Sequence, residues 1–126
     1  MLALVIAAIE TACEAVSLPT PLPLEAPSSE PVLTALIPLM DESRCVYIAV
    51  GAAQPSSLAA AAGVGAEDAA DLLAELTNML AGISSAGTEF SLGLPVVFEG
   101  VARVAPPAQM LAFSTGSAEF VLGVWG

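Results

Sequence analysis

The 126-residue chain contains no histidine and no lysine, and its basic residues are Arg44 and Arg103. The absence of histidine excludes a Ser-His or Cys-His nucleophile pair, a histidine metal site and histidine phosphotransfer. The absence of lysine excludes a Schiff base and the lysine of a phosphate-binding Walker loop. Any chemistry must therefore use carboxylates, amides, hydroxyls or groups that a partner supplies.

The composition is apolar and acidic, with 56% hydrophobic residues, 12% charged residues and a formal net charge of −11. Such a surface repels nucleic-acid phosphates and anionic lipid headgroups, so we expect neither nucleic acid nor a membrane as a partner. It does not repel a protein partner that presents a lysine. The length predicts one domain over residues 1–126.

Two cysteines, Cys13 and Cys45, are too few for a disulfide framework. Their apolar settings predict two buried thiols in a reducing cytoplasm. The apolar residues 1–8 lack a basic flank, and Glu10 and Glu14 follow them too early for a membrane span. We therefore expect a cytoplasmic protein that begins with a surface helix.

Hydrophobic periodicity predicts the element order α-β-β-α-α-β-β-β, an α+β fold with helices packed on an antiparallel or mixed β-sheet. In the first helix, which ends near Ser17, the predicted core face is Leu2, Ile6, Ile9, Cys13 and Val16. The prolines after it favour an extended segment with at most an edge strand. The remaining predicted elements are strands at 31–40 and 45–50, helices at 58–62 and 67–81, and strands at 92–104, 110–115 and 119–125.

Local signals add detail to these elements. Pro38 predicts an edge or a bulge at the end of its strand, a serine is expected to cap the second helix, and Gly82 is expected to end the third. The unbroken apolar run at 45–50 is typical of a central strand covered on both faces. The last strand is apolar on both faces, so it is either buried or paired with another subunit. Together with the low surface charge, this strand predicts a homodimer.

The third helix carries the main functional signal. Asp71, Glu75 and Asn78 fall on one face of the predicted helix, opposite a face formed by Leu72, Leu76, Met79 and Ile83. A carboxylate and a carboxamide on a rigid helix can hold a partner's cation and orient a water molecule. A solvated helix face is the alternative interpretation of these residues, and of Asp71 in particular.

The context of these residues adds a resemblance to a known family. Residues 71–82, read as Asp71-x3-Glu75-x2-Asn78 and the Met-Leu-Ala-Gly that follows, resemble the phosphatase motif of the CheC/CheX family of bacterial chemotaxis phosphatases. The Gly-Leu-Pro ending at Pro95 follows in the family's order, although nearer to Asn78 than in the family. The motif occurs once, as in CheX-like members, and the resemblance covers most of the chain.

The resemblance implies hydrolysis of the aspartyl phosphate on a CheY-like response regulator in chemotaxis or other two-component signalling. Glu75 would pair with the regulator's active-site lysine, and Asn78 would orient the attacking water. Asp71, Gly82 and Pro95 would support the motif. No cofactor or metal of its own is expected, because the phosphorylated partner carries Mg²⁺.

Two other classes of function remain open at this point. A catalytically silent CheX-like chain would act as a binding or assembly module, like the related flagellar switch domains. The shorter connection between Asn78 and Pro95 and the apolar last strand favour that interpretation. A small-molecule sensor with an apolar pocket is a third and weaker alternative.

Overall fold

The computed structural model describes residues 1–101 and 109–126, in which three α-helices pack on one face of a seven-stranded β-sheet. The helices are α1 (Leu2–Ala15), α2 (Pro55–Ala61) and α3 (Ala69–Ser85), and a single 3₁₀ turn (Ala66–Asp68) precedes α3. The strands are β1 (Pro21–Leu24), β2 (Leu33–Met40), β3 (Cys45–Ala52), β4 (Ser91–Leu92), β5 (Val96–Glu99), β6 (Gln109–Thr115) and β7 (Ala118–Trp125). The predicted α+β fold is confirmed. The predicted strand 92–104 is wrong as a single element, because its described part forms two strands, β4 and β5. The part beyond residue 101 lies outside the described residues.

The sheet has the order β1-β6-β7-β3-β2, and β4 and β5 both pair with the remaining edge of β2. Every pairing between described strands is antiparallel. The last strand, β7, lies between β6 and β3 and is buried over nearly its whole length. Of the two predicted outcomes for this strand, burial within the sheet is therefore the correct one, and β7 has no free edge to offer a second subunit.

The core lies between the helices and the sheet. Ile37 pairs with Ile48, and Leu122 lies on β7 two residues from the partner of Ile48. All three are fully buried beneath the helices. The central strand β3 is covered on both faces as predicted, because Ala49 and Gly51 are buried on the side away from the helices. The extended segment before β2 provides that second cover through Pro31.

Helix α1 differs from its predicted core face at two positions, because Leu2 is only partly buried and Ile6 is exposed. Val5, Ile9 and Cys13 are buried, whereas Ile6 is 45% exposed, so the prediction for Ile6 is wrong. Small residues of α1, which a pattern of large apolar residues does not include, also face the core. The buried face of the helix therefore includes Val5 in place of Ile6. The helix ends at the predicted place, where Ser17 adopts a positive φ of 65° and prolines follow.

Two helix boundaries also differ from the prediction. Helix α2 begins at Pro55 with Gln54 as its N-cap and no side-chain cap, so the predicted serine caps lie inside the first turn. Helix α3 continues through Gly82 to Ser85. Burial of Leu80 and Ser84 on the core side holds this last turn in the helix, and packing there outweighs the weak helix propensity of glycine.

Pro38 lies inside the sheet, so the predicted edge is wrong, whereas the predicted alternative of a bulge agrees with the pairing: residues 37 and 38 of β2 face three residues, 93–95, between β4 and β5. It pairs with Tyr47 of β3, and on the other side its carbonyl accepts a hydrogen bond from Gly93 N at 2.8 Å. Both main-chain polar groups of a strand residue face the same neighbour. The missing N–H therefore faces the gap where the partner of β2 changes from β5 to β4. The interruption of pairing makes a proline tolerable there.

The two cysteines are free thiols in different surroundings. Cys13 is fully buried, and burial raises the pKa of its thiol to about 11. Cys45 is only partly buried, so the prediction of two buried thiols is wrong for this residue. It is the first residue of β3, where the strand leaves the turn that follows β2.

Substitution of Gly51 tests how closely the sheet is packed on the face away from the helices. A Cβ on Gly51 would lie 2.8 Å from Cβ and Cγ of Pro31, a ring that cannot rotate away. We therefore expect Gly51→Ala to lower the free energy of unfolding by about 1–3 kcal/mol in urea denaturation. Gly82→Ala adds the same methyl group in open space and is the matched control, with an expected gain of about 0.5–1 kcal/mol. An unchanged urea midpoint for Gly51→Ala would contradict this packing.

Candidate functional site

The candidate site is built on α3, whose leucine face fixes the helix to the sheet. Leu73, Leu76 and Leu80 are fully buried against the core, and α3 packs on β2, β3 and α1. Thr77 is also fully buried and donates its hydroxyl hydrogen bond to the Leu73 carbonyl at 2.7 Å. This packing fixes the position of α3 on the sheet. It therefore also fixes the direction in which the exposed face of the helix points.

The predicted core face of α3 is correct at two of its four positions. Leu72 and Leu76 are buried, whereas Met79 and Ile83 are only partly buried and pack against the margin of the core. The centre of the buried face is displaced toward Leu80. This displacement leaves the opposite side of the helix more open to solvent than the sequence pattern suggests.

Asp71, Glu75 and Asn78 are all exposed and project from that open side. At about 100° per residue they fall within roughly 60° of one another around the helix axis. No hydrogen bond or ion pair joins Glu75 or Asn78 to another of the described residues. The carboxylate and the amide are therefore free to engage a group from another molecule.

A surface hollow of about 150 Å³ adjoins Glu75. Val16, Val64 and Leu72 form its apolar walls, and the carboxylates of Asp68, Asp71 and Glu75 complete its lining. Its mixture of apolar walls and acidic groups suits a long basic side chain, which buries its methylene stem and keeps its charged head near water. Asn78 lies outside the hollow, one turn further along α3.

The two remaining motif residues occupy different elements. Gly82 is partly exposed in the last turns of α3, one turn past Asn78. Pro95 is half-buried between β4 and β5, on the sheet edge that packs beside α3. The structure thus places Asp71, Glu75, Asn78 and Gly82 along one helix face, with Pro95 on the neighbouring strand edge.

The sequence interpretation missed an exposed apolar strip on that same edge. Leu94 is 84% exposed, and Met40, Leu92 and Val96 are also exposed. The signal was present in the alternation of apolar residues with glycine and proline over 92–97. The pattern predicts a strand there, but a sequence does not show on which side a strand lacks a neighbour.

The described residues have three further properties, which concern metal ions, membranes and the surroundings of Arg44. Among the described residues, no group of three or more histidine, cysteine, aspartate or glutamate side chains could hold a metal ion. None of the described helices combines the length and the apolar character that crossing a membrane requires. Arg44 lies 4.9 Å from the centre of the Phe90 ring, and its Nε lies 3.7 Å from a carboxylate oxygen of Asp41.

Comparison with known proteins identifies the fold. No protein-family model matches the chain, and no curated protein matches its sequence. Solved structures of CheX-like and CheC-like chemotaxis proteins match over nearly the whole chain. The three that follow are 13–21% identical to it in sequence. The likeness establishes that the chain has the CheX/CheC-like fold, as the sequence resemblance predicted.

Three of these structures show the extent of the match. A putative chemotaxis protein from Desulfovibrio vulgaris Hildenborough has a TM-score of 0.74 at 21% identity, over 98% of this chain and 94% of that one. The chemotaxis protein CheX from Vibrio vulnificus has a TM-score of 0.73 at 14% identity, over 95% and 91%. The CheX–CheY–BeF₃–Mg²⁺ complex from Borrelia burgdorferi has a TM-score of 0.64 at 13% identity, over 99% and 97%.

The exposure of Glu75 and Asn78 predicts that neither side chain holds the fold together. We expect Glu75→Gln and Asn78→Ala each to change the free energy of unfolding by no more than about 0.5 kcal/mol in urea denaturation. Loss of the Glu75 charge also relieves repulsion from Asp71 one turn away. Leu76→Ala, on the buried face, is the control and should cost about 2–5 kcal/mol. A loss above about 1 kcal/mol for either surface variant would indicate a structural role.

Proposed function

We propose that this protein is an aspartyl-phosphate phosphatase that acts on a CheY-like response regulator. The observation that carries the proposal is the joint exposure of Glu75 and Asn78 on one face of the rigidly packed helix α3. The CheX/CheC-like fold and the motif around these residues support it.

Glu75 is proposed to dock the regulator by pairing with its active-site lysine. The hollow beside Glu75 offers apolar contact for the lysine stem, and three carboxylates line it. A lysine that enters the hollow leaves much of its hydration behind, so its attraction to Glu75 is stronger than that of a fully solvated pair. The net charge of −11 also favours approach by a basic surface.

Asn78 is proposed to place the attacking water in line with the phosphorus–oxygen bond that breaks. An amide offers both a donor and an acceptor, and it carries no charge that would repel the phosphoryl anion. Water attacks phosphorus, the regulator's carboxylate leaves, and inorganic phosphate is released. Since an acyl phosphate is already activated and the regulator carries Mg²⁺, positioning the water is the main contribution left to this chain.

A complex of a neighbouring fold supports the choice of partner. The Borrelia burgdorferi structure contains CheX together with CheY, BeF₃ and Mg²⁺. Because the chain shares that fold over nearly its full length, we propose a CheY-like partner here as well. The proposed substrate is cytoplasmic, so the proposal also assigns this chain to the cytoplasm, where Cys13 and Cys45 stay reduced.

The proposal is tested by the rate of phosphate loss from purified CheY-like regulators that have been phosphorylated with acetyl phosphate. We expect the wild-type chain to accelerate this loss with at least one regulator. Asn78→Ala should lower kcat by about 100-fold or more, because the water is no longer positioned. Glu75→Gln should act mainly on KM, raising it about tenfold, because docking weakens.

Glu14→Gln is the matched control for the charge change, since Glu14 is an exposed acid on α1. This variant should keep the wild-type rate. Regulator binding that persists without turnover, and that survives loss of both Glu75 and Asn78, would identify a silent binding module instead. No acceleration with any regulator would contradict the phosphatase proposal.

We also propose a homodimer, for a reason that differs from the sequence argument. Strand β7 is buried, so it cannot supply the interface. The exposed residues Leu92, Leu94 and Val96 lie instead on a sheet edge where, among the described strands, β4 and β5 pair only with β2, and Met40 at the end of β2 adjoins them. An apolar strand edge of this kind is completed by another strand, and a second copy offers the same edge.

Sedimentation velocity at micromolar concentration tests the dimer. We expect wild-type chains to sediment as dimers, and Leu94→Glu to sediment as monomers because it places a charge in the proposed interface. Leu22→Glu is the control, because Leu22 is a 61% exposed leucine on β1 at the opposite edge of the sheet. This control should remain dimeric. A wild-type monomer would contradict the proposed interface.

A further inference from the structure

Gly82 is a glycine that the fold itself does not require. A Cβ placed on Gly82 meets no atom of the described residues within 4 Å, and its φ is not in the positive range. By contrast, a Cβ on Gly51, Gly93 or Gly123 would overlap a neighbouring side chain. Glycine inside a helix weakens the helix relative to alanine. Gly82 therefore reduces stability without relieving any contact within the described chain.

Gly82 lies on the same exposed face of α3 as Glu75 and Asn78. Four residues past Asn78, it lies about 6 Å further along the helix axis. Around the axis it falls between the directions of Glu75 and Asn78. It thus continues the exposed acid–amide face as a flat patch of bare backbone.

We propose that Gly82 is a clearance position for the phosphorylated partner, which lets the partner's main chain lie against α3 one turn past Asn78. This inference rests on the proposed phosphatase function. The amide of asparagine is attached directly to Cβ, so a water that it holds stays close to the helix surface. The acyl phosphate reaches that water only if the partner's backbone comes close to the helix. A side chain at position 82 would hold the partner away.

The test compares Gly82→Ala and Gly82→Gln with the wild type, using regulators phosphorylated with acetyl phosphate. Gly82→Ala should raise Tm by roughly 2–5 °C because alanine strengthens the helix. The same variant should lower kcat/KM for phosphate loss at least about fivefold, and the larger glutamine should lower it further. A variant that is more stable but less active than the wild type is the result expected of a clearance position. If the fold required Gly82, replacing it would lower both stability and activity.

Ala7→Gln is the matched control, because it adds the same side chain to an exposed position of α1. It should retain the wild-type kcat/KM. An active wild type with an equally active Gly82→Ala variant would overturn the clearance role alone. A Gly82→Ala variant with a lower Tm than the wild type would also overturn it. A wild type inactive toward every regulator would overturn the proposed function, and the clearance role with it.

Discussion

The exposed acid and amide of α3 depend on the burial of the opposite face of the same helix. Leu73, Leu76 and Leu80 are fully buried, and each contributes about 1.5–3 kcal/mol through the apolar surface it removes from water. That packing fixes both the rotation and the position of the helix on the sheet. Glu75 and Asn78 therefore face solvent in a defined geometry, although neither has a partner among the described residues that holds it.

This arrangement explains how a chain without histidine or lysine could support hydrolysis. The described residues offer no metal cluster, and the α3 face offers an acid and an amide. A reaction in which the partner supplies the activated phosphate and Mg²⁺ needs only docking and the placement of water. In the proposed reaction, the acidic hollow beside Glu75 would serve the first task, and the short amide of Asn78 would serve the second. Gly82 extends the same face where the proposed partner must come nearest.

Local pattern was sufficient to predict the three helices, the strands β2, β3, β6 and β7, and the helix that carries the site. The periodicity of α3 placed Glu75 and Asn78 on one face, because a helix fixes the direction of each side chain from spacing alone. The unbroken apolar sequence of β3 indicated a central strand, since a strand that is apolar throughout is typically covered on both faces.

The errors arose where distant contacts decide the structure. Pro38 is accepted inside the sheet because its missing donor faces the gap between β4 and β5. Gly82 stays helical because the turn around it is buried on its core side. The exposure of Leu94 depends on which side of the sheet edge lacks a neighbouring strand, and the hollow near Val64 is formed by residues far apart in sequence, so local pattern could decide neither.

The proposed function depends on direct pairing between Glu75 and the active-site lysine of the regulator. A double-mutant cycle measures this pairing from the binding of a beryllofluoride-activated regulator, with Glu75→Gln on one side and the lysine changed to methionine on the other. If the two groups pair, we expect a coupling free energy of about 1.5 kcal/mol or more. Additive effects, with coupling below about 0.3–0.5 kcal/mol, would show that the two groups do not meet and would contradict the proposed function.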